Sequence, residues 1–261
     1  MSYDFSLNPV LEKATNEDLQ YLVEIINKTI TNSLESDELY KKYNPDHKKY
    51  VNVIASEIRS FGGNTIANVF RRGKGPEYKE IVCDVADKLK APYRKESSIE
   101  KIEDSILETV LTQALEKMSE SEKQELLKEF GDGKNYSLTG PALTTAFITI
   151  FRMGGFKSYQ LTLIIANAIV KAVLGHGLRL GANAGLTKIM SILTGPIGWV
   201  ITGIWTLIDI AGPATRVTIP AVIYVAMLRK KYNTPICPHC NQMIAIGTKF
   251  CPECGTALDN N

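Results

Sequence analysis

The sequence predicts a mainly α-helical protein: a multi-helix N-terminal region and a hydrophobic helical C-terminal region, followed by a small β-hairpin zinc ribbon. Three observations carry that expectation. Apolar residues recur at three- and four-residue spacings through the first half, the period of one helix face. Composition changes abruptly near Lys134: residues 1–134 hold 20 Lys/Arg against 25 Asp/Glu, whereas residues 135–261 hold 10 against 3. The last 25 residues place four cysteines at Cys-x2-Cys-x10-Cys-x2-Cys spacing. The expected division is therefore an acidic helical domain at 1–134, a hydrophobic cationic helical region at 135–232 and a ribbon at 233–261.

In chain order, Thr15 caps an amphipathic helix to about Thr29, with Leu19, Leu22, Val23 and Ile26 on its apolar face. Further helices are expected over His47–Ser60, Asn64–Phe70 and Pro76–Lys90, the last opened by a proline suited to a first helical turn. Ser98 starts a longer helix whose stripe is Ile99, Ile102, Ile106, Val110, Leu111, Ala114 and Leu115. Ser119-x-x-Glu122 reads as a capping box for the next helix. Paired carboxylates such as Asp84 with Asp87, and Glu103 with Asp104, read as solvated helix faces.

The second half is apolar and cationic. Between Asn135 and Tyr232 nine basic residues face one acid, Asp209. Ile189–Ile208 runs 20 residues without charge and contains Trp199 and Trp205, about the length that spans a bilayer, but Pro196 and three glycines dilute it. Val217–Leu228 is also uncharged and ends in Arg229-Lys230-Lys231, a cluster of the kind that sits beside anionic headgroups. A buried helical hairpin, conditional membrane association and permanent anchoring all fit this pattern. The cationic bias favours lipid, with Trp199 and Trp205 as contact residues for membrane or hydrophobic client. Arg71, Arg72 and Lys74, on a turn ahead of a helix N-terminus, add a second candidate site for an anion or lipid headgroup.

Cys237, Cys240, Cys251 and Cys254 are expected to hold one structural Zn2+. Two Cys-x-x-Cys hooks bring four thiolates into a tetrahedron with no open position. Met243–Phe250 reads as a short β-hairpin between the hooks, and Gly255 suits the positive φ of a metal knuckle. His239 lies inside a hook, where four cysteines already complete the shell. Cys83, among Ile81, Val82 and Val85, reads as a small core residue.

Four separated blocks carry a family resemblance: Phe61-Gly62-Gly63-Asn64-Thr65-Ile66-Ala67-Asn68, Asp84-Val85-Ala86-Asp87-Lys88-Leu89-Lys90, Leu174-Gly175-His176-Gly177-Leu178 and Arg216-Val217-Thr218-Ile219-Pro220-Ala221-Val222. Together they resemble the bacterial YaaW family, grouped distantly with ubiquinol-cytochrome c assembly chaperones. The resemblance covers roughly residues 1–232 and leaves the ribbon as an appended module. It implies a largely helical bacterial protein and brings no catalytic residues.

Catalysis finds little support in the chain. Its three histidines sit in no catalytic or metal motif, and Gly154-Gly155-Phe156-Lys157-Ser158 breaks the Gly-Lys-Ser adjacency that a phosphate loop needs. Nucleic-acid binding through the ribbon is disfavoured by charge, since Asn233–Asn261 holds Lys249 against Glu253 and Asp259. The expected protein is non-enzymatic and amphitropic, meeting anionic membrane through its cationic hydrophobic region and docking another protein through the ribbon. The alternative is an assembly chaperone or scaffold for a hydrophobic client. The expected place is the cytoplasm, peripheral on the inner face of the cell membrane.

Overall fold

A computed structural model describes residues 3–29, 33–61, 75–130, 138–179, 196–208, 213–244 and 247–258. The chain opens with α1 (Asn8–Lys13) and α2 (Asn16–Thr29). Asp4 leads into α1 by accepting from the backbone N–H groups of Ser6 and Leu7 at 2.9 and 3.1 Å. Thr15 caps α2, its hydroxyl accepting from Asp18 N–H while Asp18 accepts from Thr15 N–H in return. Short α3 (Ser33–Ser36) and α4 (Glu38–Tyr43) follow, and Asp37 caps α4 through the N–H groups of Leu39 and Tyr40.

The helix expected from His47 begins as a 3-10 turn, His47–Tyr50, and continues as α5 (Val51–Phe61). Next come α6 (Tyr78–Leu89), α7 (Ile99–Lys117) and α8 (Glu120–Phe130). α6 starts two residues after Pro76, whose carbonyl is taken by Arg59 Nε at 2.7 Å and so is withdrawn from the helix ladder. Gly75 permits that approach: a Cβ there would sit 2.3 Å from the Arg59 carbonyl oxygen. The capping box before α8 forms as expected, with Ser119 N–H donating to Glu122 Oε2 at 2.7 Å and Glu122 N–H to Ser119 Oγ at 3.3 Å. The helix expected over Asn64–Phe70 lies outside the described residues.

The second half builds α9 (Pro141–Arg152), α10 (Gly155–Leu174), α11 (Pro196–Ile208) and α12 (Pro213–Asn233). α10 and α12 are apolar around most of their circumference, and other helices of the same chain enclose them. α12 packs on α1, α2, α5, α6 and α7 as well as α10, and α10 packs on α2, α7, α9 and α11. Val217, Ile219, Ala221–Met227 and Leu228 are all buried, each large aliphatic side chain contributing about 1.5–3 kcal/mol of transfer free energy. Polar groups inside α10 are satisfied: Thr162 donates to the Ser158 carbonyl, and Asn167 accepts from Leu178 N–H at 2.7 Å.

One apolar core thus runs from Leu7 to Leu228, across the boundary expected at residue 134. Among the described residues, no helix is long and apolar enough to cross a membrane.

The expected hairpin is not shown among the described residues. Among the described residues there is no strand pairing Met243 with Phe250. Two isolated antiparallel bridges instead close each hook on itself, Ile236 with Met243 and Phe250 with Ala257. Ala245 and Ile246 lie outside the described residues.

Candidate metal centre and the groove beside it

The two hooks are built alike, fourteen residues apart in sequence. In the first, Cys237 N–H donates to the Gln242 carbonyl at 2.8 Å and Asn241 N–H to the Cys237 carbonyl at 2.9 Å. In the second, Cys251 N–H donates to the Thr256 carbonyl at 2.8 Å and Gly255 N–H to the Cys251 carbonyl at 2.9 Å. The residue after each second cysteine has positive φ, 57° at Asn241 and 72° at Gly255, which turns the backbone around the sulfurs.

Cys237, Cys240, Cys251 and Cys254 converge with their Sγ atoms all within 4.8 Å of one another. Four thiols so placed are positioned to bind a metal ion. Two contacts join one hook to the other, Cys237–Cys254 at 3.7 Å and Cys240–Cys251 at 3.6 Å. These are free thiols, far beyond the roughly 2.05 Å of a disulfide. Cys237 and Cys251 are buried, while Cys240 and Cys254 lie on the surface. Thr256, through its hydroxyl and then its backbone amide, lowers the pKa of the Cys254 thiol, while that of Cys240 in the same cluster is pushed up. His239 is exposed and stands apart from the four-sulfur cluster.

Beside this centre lies a groove of about 900 Å³. One wall comes from Leu127 and Phe130 of α8 with Ala142, Ala146 and Ile150 of α9; the other comes from Met243, Ile244, Thr248 and Pro252 of the tail. Thr145 and Thr149 also face it, but their hydroxyls donate back to the Pro141 and Thr145 carbonyls at 3.0 and 2.8 Å. With the oxygens so engaged, these threonines offer methyl groups outward. Met153, at the end of the same stripe, is 69% exposed. Nothing in the sequence distinguished this face, because α9 carries no charge before Arg152 and its stripe mixes Ala, Thr and Ile.

The basic cluster ending α12 pairs with carboxylates of the same chain. Arg229 is 7% exposed; its Nε donates to Glu103 Oε2 at 2.7 Å and its Nη2 to the Ser6 carbonyl at 2.7 Å. Tyr78 donates its hydroxyl to the other Glu103 oxygen at 3.0 Å. Lys230 pairs with Asp104 at 2.8 Å, and Lys231 reaches both oxygens of Asp18 at 2.8 Å. The physical reason is local: three carboxylates of α2 and α7 face the end of α12, so these charges are neutralised within the chain. Glu103 is 2% exposed, which corrects its reading as part of a solvated face. Its signal was its register, one turn after Ile99 and three residues before Ile106. Burial pushes its carboxyl above the usual range, against the pull of Arg229 and Tyr78.

The remaining expected site residues are scattered. Trp199 is 74% exposed on α11. Trp205 belongs to the same helix, and its side chain, like Arg71, Arg72 and Lys74, lies outside the described residues. His47 is buried, bridging Tyr50 and Gln20, and burial lowers its pKa. Gln20 in turn donates to Glu24 at 2.8 Å, whose other oxygen lies 3.2 Å from His176 Nε2. Asp209 lies outside the described residues.

A family model described as ubiquinol-cytochrome C chaperone matches residues 46–223. The chain belongs to the ubiquinol-cytochrome C chaperone family. A UPF0174 protein of Helicobacter pylori strain J99 is 45% identical over 88% of this chain and 92% of its own. A UPF0174 protein of the 26695 strain is 42% identical over 79% and 98%. The UPF0174 protein YaaW of Escherichia coli strain K12 is 35% identical over 77% and 81%. No solved structure matches the chain. The family match ends at residue 223, before the four clustered cysteines, and these family names state no enzymatic activity.

Proposed function

We propose that this protein is a non-enzymatic assembly chaperone that holds an apolar helical segment of a protein client in the groove between α8, α9 and the cysteine tail. The lining of that groove carries the reading: apart from Lys157, Thr248 and Glu253 it is made of aliphatic and aromatic side chains, inward-bonded threonines and an exposed methionine, a residue that adapts to varied apolar partners. The family description supports it, because a chaperone must take up apolar surface that its client later buries elsewhere. The four thiols hold one structural Zn2+. Their inter-hook separations of 3.6 and 3.7 Å suit the edge of about 3.8 Å in a tetrahedron with Zn–S near 2.3 Å. The ion supplies folding free energy to the tail, and four thiolates leave no coordination position for chemistry.

Peripheral membrane association is the second reading, and Trp199 is the observation that favours it. It is placed second because α10 and α12 are enclosed and Arg229, Lys230 and Lys231 are paired within the chain. A labelled amphipathic apolar peptide of about four helical turns tests the first reading. We expect it to bind the zinc-loaded protein, and Thr149→Glu, which puts a charge on an exposed groove position, to weaken binding roughly tenfold or more without lowering Tm. Equal affinity for both proteins removes the groove as the site. Flotation with anionic vesicles in the absence of peptide binding would transfer the function to lipid.

A further inference from the structure

We infer that metal occupancy of the tail controls whether the groove has two walls or one. The inference rests on the client-groove reading above and adds its regulation. α8 and α9 bury Leu127, Phe130, Leu143, Phe147 and Phe151 in the main core. The tail has a separate core of Cys237, Ile244 and Cys251, with Leu258 against it, and its described backbone pairing amounts to two isolated bridges. So little buried apolar surface cannot offset the conformational entropy of ordering more than twenty residues, and the ion must supply the difference.

The residues that the tail lends to the groove are tied to the metal knuckles. Ile244 sits in both the tail core and the groove wall, and its N–H donates to the Pro235 carbonyl at 2.9 Å. Met243 is the bridge partner of Ile236 and packs against the main core. Pro252 lies inside the second hook. When the metal binds, these side chains are held opposite Ala146 and Ile150. When it leaves, the hooks lose their common centre and α9 is left as an open apolar face.

Hydrogen exchange on the full chain, zinc-loaded and then stripped with a chelator, tests the coupling. Zinc removal is expected to speed exchange in residues 236–258 and also in 138–156, while α12 keeps its protection. The same peptide should lose affinity roughly tenfold, and added zinc should restore both readings. Cys240→Ser, at an exposed sulfur, should reproduce the stripped state without a chelator. Faster exchange in the tail with no change in 138–156 overturns the inference, whatever the peptide does. A peptide that binds neither form removes the client reading instead, and the exchange data still decide the coupling.

Discussion

Arg229 and Glu103 are 126 positions apart in sequence and 2.7 Å apart in space, in a site closed by Tyr78 and the Ser6 carbonyl. A buried pair of this kind costs more to break than to replace, because a lone charge left inside has no water to solvate it. Arg229→Ala should therefore destabilise the protein by about 3–5 kcal/mol in urea unfolding, and Arg229→Met with Glu103→Leu should recover most of that loss. Asp18 is a second site where charge is committed internally. Burial opposes its ionisation, but hydrogen bonds from Lys231 and Tyr232 outweigh that and hold its carboxyl below the usual range. A depressed acid stabilises the fold above its unfolded pKa, near 3.9, and that stability is lost as pH falls through the lower folded value. Asp18→Asn should remove this acid-side dependence, measured as the slope of unfolding free energy against pH from about 5 downward. These pairings were illegible in the sequence: a Lys or Arg at the end of a helix reads the same whether it faces a headgroup or a carboxylate.

Elements were far more legible, since caps and apolar periods act within four residues. Thr15 and Ser119 form the capping contacts expected of them, and the stripe from Ile99 to Leu115 is buried where its period put it. The cysteine hooks were legible for the same reason, because each closes its own turn. What lay between them was not. Met243 and Phe250, at the ends of the run read as a hairpin, pair with Ile236 and Ala257 in the bridges that close the two hooks. Asn241 and Gly255 occupy matching positions, and the asparagine pays some backbone strain that glycine avoids. No side chain crowds Gly255, so Gly255→Ala tests the backbone alone. It should cost about 1 kcal/mol and weaken zinc roughly fivefold in a competitive chelator titration, and Asn241→Gly should leave affinity unchanged or better.

At the scale of the molecule, one buried apolar cluster takes side chains from both sides of the charge boundary near residue 134. Charge asymmetry along a chain does not specify a domain boundary, because opposite surfaces attract and fold together as readily as they serve different partners. The same ambiguity governs apolar helices. A helix that is hydrophobic all round is equally at home in lipid and in protein, and only the presence of α1, α2, α5, α6 and α7 around α12 distinguishes the cases. From the amino-acid order alone came the helical class, the limits of α2, α6 and α7 to within two residues, and the pairing of cysteines into two hooks, because each depends on spacing between neighbours. The fate of the cations, the union of the two halves and the groove between α9 and the metal tail arose from packing, because each depends on which distant surfaces meet.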